Sequence, residues 1–176
     1  MVLNLNLGEI KLPSKNKICL KSRSVDETLH VGQILAKQLK KGMIVALFGN
    51  IGSGKTTMVR GISQGLGVFE PITSPTYTIM NLYSGELVIY HFDFYRLTSN
   101  SDLIDLGLDE YFYNDGLSII EWPDRIMDQI PDQAIKINLE YEKSMKVNER
   151  KIEIISDQII DIPLRKYHDY NVDEKD

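Results

Sequence analysis

The sequence predicts a three-layer α/β domain with a mixed sheet, and three observations lead there. Apolar runs closed by glycine or an acid read as buried strands, stretches of helical periodicity separate several of them, and two further pairs of runs flank short polar turns as hairpins do. The clearest strand is Met43-Ile44-Val45-Ala46-Leu47-Phe48, bounded by Gly42 and Gly49. A helix is expected after Gly54, and the link between them is Gly49-Asn50-Ile51-Gly52-Ser53-Gly54-Lys55-Thr56, a G-x-x-x-x-G-K-T pattern.

The chemistry of that link explains its composition. Gly49, Gly52 and Gly54 let the backbone take turns that a Cβ forbids, so successive N–H groups converge on one anion. The following helix aims its free N–H groups and the positive end of its dipole at the same place. Lys55 adds a point charge for the β- and γ-phosphates, and Thr56 offers a hydroxyl to Mg²⁺. The run Asn50, Ile51, Gly52, Ser53, Gly54, Lys55, Thr56 and Thr57 is therefore expected to line a nucleoside triphosphate.

In chain order, residues 1–16 read as a loose lead-in and Lys17 to Lys21 as an edge strand. Ser24-Val25-Asp26-Glu27 is a capping box, which starts a helix whose stripe is Leu29, Ile34, Leu35, Ala36 and Leu39, stopped by Gly42. The phosphate-loop helix runs from Lys55 to about Leu66, with Met58, Val59, Ile62 and Leu66 inward and Gly67 as its stop. Tyr77 to Tyr83 and Glu86 to Phe92 form a hairpin around Ser84-Gly85. Asn100 to Tyr113 is expected to hold two short helices interrupted at Gly107. Leu117 to Ile120 is a further strand, and Ala134 to Tyr141 with Arg150 to Ser156 is a terminal hairpin. Asp169 to Asp176 is acidic and poor in apolar residues, and residues 165–176 are expected to be loose.

Ligands of α/β sheets sit at the carboxyl ends of the strands, and two apolar runs end there in an acid. Leu87 to Phe92 delivers Asp93, and Leu117 to Ile120 delivers Glu121. One carboxylate belongs in a Mg²⁺ shell and the other orients the attacking water, and spacing does not say which is which. Thr76 and Ser74 lie in a Pro75-bearing loop that is either a switch over the γ-phosphate or a rigid turn. Arg96 and Arg125 either balance transition-state charge, bind a partner or stay in exposed ion pairs. Trp122, the only tryptophan, either stacks on a base, anchors an interface or packs in the core.

Composition limits the function classes. With 176 residues, 43% of them hydrophobic, one domain with its own core is expected. A net charge of −5 gives no global field for nucleic acid or an anionic membrane, so any RNA it serves is expected to be held by a partner. Cys19 is the only cysteine, and His30, His91 and His168 are scattered, which argues against a disulfide and a zinc cage. No apolar run reaches the ~20 residues that cross a bilayer, and the N-terminus lacks a secretory block, so a cytosolic protein is expected.

Taken together, Gly49 to Thr57 with Val59-Arg60-Gly61, Ser74-Pro75-Thr76-Tyr77-Thr78, Tyr90 to Leu97, Leu106 to Phe112 and Ile120-Glu121-Trp122-Pro123 resemble the successive motifs of the bacterial TsaE (YjeE) ATPase family. The resemblance covers about residues 24 to 140 and is faint outside them. It implies a P-loop NTPase-like fold and an ATPase needed for N6-threonylcarbamoyladenosine (t6A) in tRNAs that read ANN codons. Such a protein acts with the TsaD–TsaB heterodimer, after TsaC makes threonylcarbamoyl-adenylate, and meets tRNA only through that complex. By position, the resemblance makes Thr56 and Glu121 the Mg²⁺ ligands, Lys55 the phosphate lysine and Asp93 a polar group needed for turnover. It puts Ser24 to Thr28 near the adenine, Ser74-Pro75-Thr76 in a switch-like loop and Trp122 beside the active site.

Two other functions share parts of this pattern. A small-molecule kinase also pairs a phosphate loop with a strand-terminal carboxylate, but no acceptor domain or arginine-rich lid is evident here. A regulatory GTPase would carry an N-K-x-D signature, which is missing.

Overall fold

In the computed structural model, residues 15–97, 107–112, 114–141 and 148–163 are described. Among these residues seven strands form one mixed sheet in the order β1-β7-β6-β2-β5-β4-β3: β1 (Asn16–Ser22), β2 (Ile44–Phe48), β3 (Met80–Ser84), β4 (Val88–Asp93), β5 (Leu117–Glu121), β6 (Ile135–Glu140) and β7 (Arg150–Ser156). The four central strands β6, β2, β5 and β4 run parallel, while β3 is antiparallel to β4 and β7 is antiparallel to both β6 and β1. Strand β5 is buried at every position, as expected of a parallel strand covered on both faces.

Helices α1 (Val25–Ala36) and α2 (Lys55–Gly65) cover one face. Their side chains join Val45, Leu47, Ile119 and Ile137 in the larger core. The short helix α3 (Leu108–Phe112) and a 3-10 segment, Pro123–Gln129, cover the other face, packing on Ala46, Phe92 and Ile120. The two helical layers enclose the sheet in the α/β arrangement that the strand pattern predicts.

Helices α1 and α2 meet at glycines. A Cβ on Gly61 would lie 2.3 Å from Leu29 O, and one on Gly32 would lie 2.8 Å from Ile62 N. This close approach carries the N-terminus of α1 to the side of the phosphate-loop helix. It also corrects the expected stripe of α1, which buries Thr28, Val31 and Gly32 with Leu35 and Ala36, leaving Leu29 and Ile34 half-buried. A helix that packs backbone to backbone selects small residues, so hydrophobicity alone misplaces its inner face.

Two further boundaries differ from expectation. Helix α1 ends at Ala36 rather than running to Gly42, and Gly42, at φ 75°, belongs to the turn that enters β2. Strand β3 starts at Met80, because Tyr77 and its neighbours form a turn closed by Ile79 N–H donating to Pro75 O at 2.7 Å. Of the two helices expected over 100–113, only α3 falls among the described residues, and residues 98–106 lie outside them. The expected loose ends lie outside them too, apart from Lys15 and Asn16.

Candidate nucleotide site

The carboxyl ends of β2, β4 and β5 converge on one cleft. Strand β2 runs into the glycine loop, and the register places Asp93 opposite Glu121 and Leu47 opposite Glu121. The cleft, about 460 Å³, is lined by Gly52, Gly54, Lys55, Thr56 and Thr57 on the loop side and by Ser74, Thr76, Asp93, Tyr95, Glu121 and Trp122 across from it. Asn50 contributes its carbonyl to the loop, and Ile51 stands at the rim, 73% exposed.

Glycine is required where the loop leaves β2. Gly49 has φ 133°, and a Cβ there would fall 2.2 Å from Leu139 O. From the other side Arg150 on β7 grips the loop: its Nε donates to Ser53 O at 3.0 Å and its Nη2 to Gly52 O at 3.1 Å. The Ser53 hydroxyl is buried within the loop and has no hydrogen-bond partner among the described residues. A cradle of backbone N–H groups with an unsatisfied hydroxyl beside it is suited to phosphate oxygens.

Lys55 opens α2 and is 5% exposed. Its ammonium donates to Gly49 O at 2.7 Å and Asn50 O at 3.0 Å and lies 3.8 Å from the centre of the Trp122 ring. Burial lowers its pKa from the usual 10.5, with Glu121 and Asp93 pulling it back up. Trp122 owes its position to a left-handed backbone, φ 59° and ψ 49°, which is uncommon for a bulky residue and marks strain next to the site. Its indole also packs on Tyr95, 5.0 Å between centroids.

The two acids have different partners. Thr56 Oγ1 donates to the Glu121 carboxylate, 2.9 Å from Oε1 and 3.1 Å from Oε2. Asp93 instead holds the loop after α2. Its Oδ2 accepts from the hydroxyls of Ser74 and Thr76, the latter at 2.7 Å, and its Oδ1 accepts from Tyr95 N–H at 2.9 Å. The sequence left their division of labour open, and the geometry puts Glu121 beside Thr56 and Asp93 beside the Ser74-Pro75-Thr76 loop.

Ser24 and Thr28 line a small cleft of about 80 Å³ with Gly52, Gly54, Thr57 and Arg150. Both hydroxyls are engaged, Ser24 Oγ accepting from Glu27 N–H at 3.1 Å and Thr28 Oγ1 lying 2.7 Å from Ser22 Oγ. Thr28 is 2% exposed and turned inward, so of the two Ser24 is the more accessible to a base. Arg96 lies over the Tyr77 ring at 4.7 Å, and Arg125 faces a neighbouring cavity behind Trp122. Sequence reasoning missed His91, Arg150 and Arg60, which lines the cleft and donates to Ile72 O at 3.0 Å. The alternation His91-Phe92-Asp93 was the available signal for the first, since it puts both polar groups on one face of β4.

Comparison with known proteins gives the family. A family model described as threonylcarbamoyl adenosine biosynthesis protein TsaE matches residues 22–152. The chain belongs to the TsaE family. Among curated TsaE proteins, the one from Treponema pallidum is 41% identical over 118 residues, covering 67% of this chain and 87% of its own. That from Bacillus subtilis is 40% identical over 121 residues, covering 67% and 75%. The crystal structure of YdiB from Bacillus subtilis superposes with TM-score 0.69 at 29% identity, covering 82% of this chain and 88% of that one. The fold is thus the P-loop NTPase-like α/β fold of TsaE proteins, and the glycine loop, Asp93, Glu121 and Trp122 all lie inside the matched span.

Proposed function

We propose that the chain is a Mg²⁺-dependent ATPase of tRNA t6A biosynthesis in the cytoplasm, coupled to the TsaD–TsaB complex. The observation that carries this reading is the Thr56–Glu121 pair, at the first turn of a helix that opens on a phosphate loop.

The residues suit both groups. Among the described residues no cluster of three or more His, Cys, Asp or Glu side chains would hold a metal alone. Magnesium in phosphoryl-transfer sites takes one or two protein oxygens and completes its shell with water and phosphate. Thr56 and Glu121 supply such oxygens. When bound, the ion would neutralise charge on the β- and γ-phosphates and orient them.

The protein's own groups do the rest. Loop N–H groups and α2 receive the phosphates, and Lys55 gives up a carbonyl bond to meet the β- and γ-phosphate oxygens. Trp122 shields this ammonium from water, which strengthens its attraction to phosphate. Asp93 holds Ser74 and Thr76 at the cleft wall, so that the loop bearing them can register whether a γ-phosphate is present. Low turnover by the isolated protein follows, because among the described residues no arginine other than Arg60 lines the cleft to stabilise transition-state charge.

Phosphate release measured alone and with TsaD and TsaB tests the reading. Slow hydrolysis that accelerates with the partners, and co-elution with them only when ATP is present, is the expected result. Rapid hydrolysis unaffected by the partners would contradict the coupling, and ATP-dependent labelling of a small metabolite would favour a kinase.

A further inference from the structure

Glu121 has a second partner that the phosphate chemistry leaves unexplained. His91 Nε2 lies 3.0 Å from Glu121 Oε1, and the His91 side chain is fully buried. The register explains the meeting. His91 pairs with Ile119 while Asp93 pairs with Glu121, so His91 stands one step back on the same face and reaches forward to the strand tip.

The hydrogen on this ring can be placed. A carboxylate oxygen only accepts, so Nε2 carries the hydrogen. The other nitrogen, Nδ1, is buried with no hydrogen-bond partner among the described residues. A ring that leaves Nδ1 unbonded in the core is oriented by its Nε2–H bond to Glu121. A core position that only needed filling would be served by an apolar ring. Histidine leaves one polar atom unsatisfied here in order to present the other to Glu121.

We propose that His91 is a positioning residue for the metal-side carboxylate. Its Nε2–H fixes Glu121 Oε1, while Thr56 bonds both oxygens, so the carboxylate is held in one rotamer before nucleotide arrives. Preorganisation of this kind commonly changes metal affinity by about 10- to 100-fold. The inference rests on Thr56 and Glu121 being the magnesium side of the site.

Trp122 supplies the readout, because it is the only tryptophan and Lys55 lies against its ring. Fluorescence is followed as ATP is added with EDTA, and as Mg²⁺ is titrated at fixed ATP. His91→Phe, which keeps a flat ring and deletes the N–H, should raise the Mg²⁺ needed for half-maximal binding by about 10- to 100-fold and leave metal-free ATP affinity unchanged. His91→Gln, whose amide nitrogen reaches the Nε2 position, should recover most of the loss. Combining His91→Phe with Glu121→Gln should add nothing to Glu121→Gln alone. If His91→Phe fails to fold, His91→Asn, whose shorter amide stops short of Glu121, replaces it in the same titration with the same expected rise.

A folded variant lacking the Glu121 contact with wild-type Mg²⁺ dependence would overturn the inference, as would equal loss of metal-free ATP binding. Wild-type binding that ignores Mg²⁺ would overturn the metal reading and this inference with it, and is seen before any variant is compared.

Discussion

Replacing Lys55 with methionine should separate stability from function. Lys55 is 5% exposed, and burial lowers its pKa below the usual 10.5. The folded protein therefore binds this proton less tightly than the unfolded chain does. Stability from this group is lowest below the folded pKa, where both states carry the charge, and rises as pH climbs from the folded pKa towards 10.5. At neutral pH the charge opposes folding, offset by the bonds to Gly49 O and Asn50 O and the contact with Trp122. Methionine removes the charge and keeps the stem, so without nucleotide Lys55→Met should melt at or above the wild-type temperature. With MgATP the order should reverse. A charge-assisted hydrogen bond contributes about 1.5–3 kcal/mol, which corresponds to roughly 10- to 150-fold weaker binding and a lost thermal shift. Calorimetric scans with and without MgATP read both effects. A variant that melts well below wild type alone, yet gains the same shift from MgATP, would refute the reasoning.

Other changes probe the rest of the site. Glu121→Ala should raise the Mg²⁺ concentration required for hydrolysis, seen by titrating Mg²⁺ against rate. Asp93→Asn weakens the hold on Ser74 and Thr76, so turnover should fall while ATP affinity is spared, and hydrogen exchange in residues 73–79 should accelerate; a loss confined to affinity would make Asp93 a binding residue. Arg150→Ala frees the carbonyls of Gly52 and Ser53, and ATP affinity measured by calorimetry should drop by about tenfold, the effect of one or two lost hydrogen bonds. Gly61→Ala forces α1 away from α2 and should destabilise the protein by about 1–3 kcal/mol in urea unfolding.

The phosphate loop was legible because its chemistry constrains sequence at fixed spacing: glycine for the turns, lysine and threonine for charge and metal. Asp93 and Glu121 were legible because a strand tip is a place the alternation pattern can locate. Their division was hidden, since it depends on which hydroxyl each meets across the fold, Thr56 on α2 or Ser74 and Thr76 in a loop. His91 was passed over because histidines were weighed as metal ligands spread along the chain rather than as neighbours on one strand face. Arg150 could not be tied to the loop, because 97 residues separate it from Ser53 and only the antiparallel return of β7 brings them together. The inner face of α1 was misread for a related reason, as its packing partner is a glycine on another helix.

A crystal structure with Mg²⁺ and a non-hydrolysable ATP analogue tests the central claim most directly. The β- and γ-phosphates should lie against the N–H groups of Gly52 to Thr56 with Lys55 Nζ in hydrogen-bond reach, and the metal should touch Thr56 Oγ1 or the Glu121 carboxylate. Phosphates bound elsewhere, or a metal touching neither Thr56 nor Glu121, would contradict it.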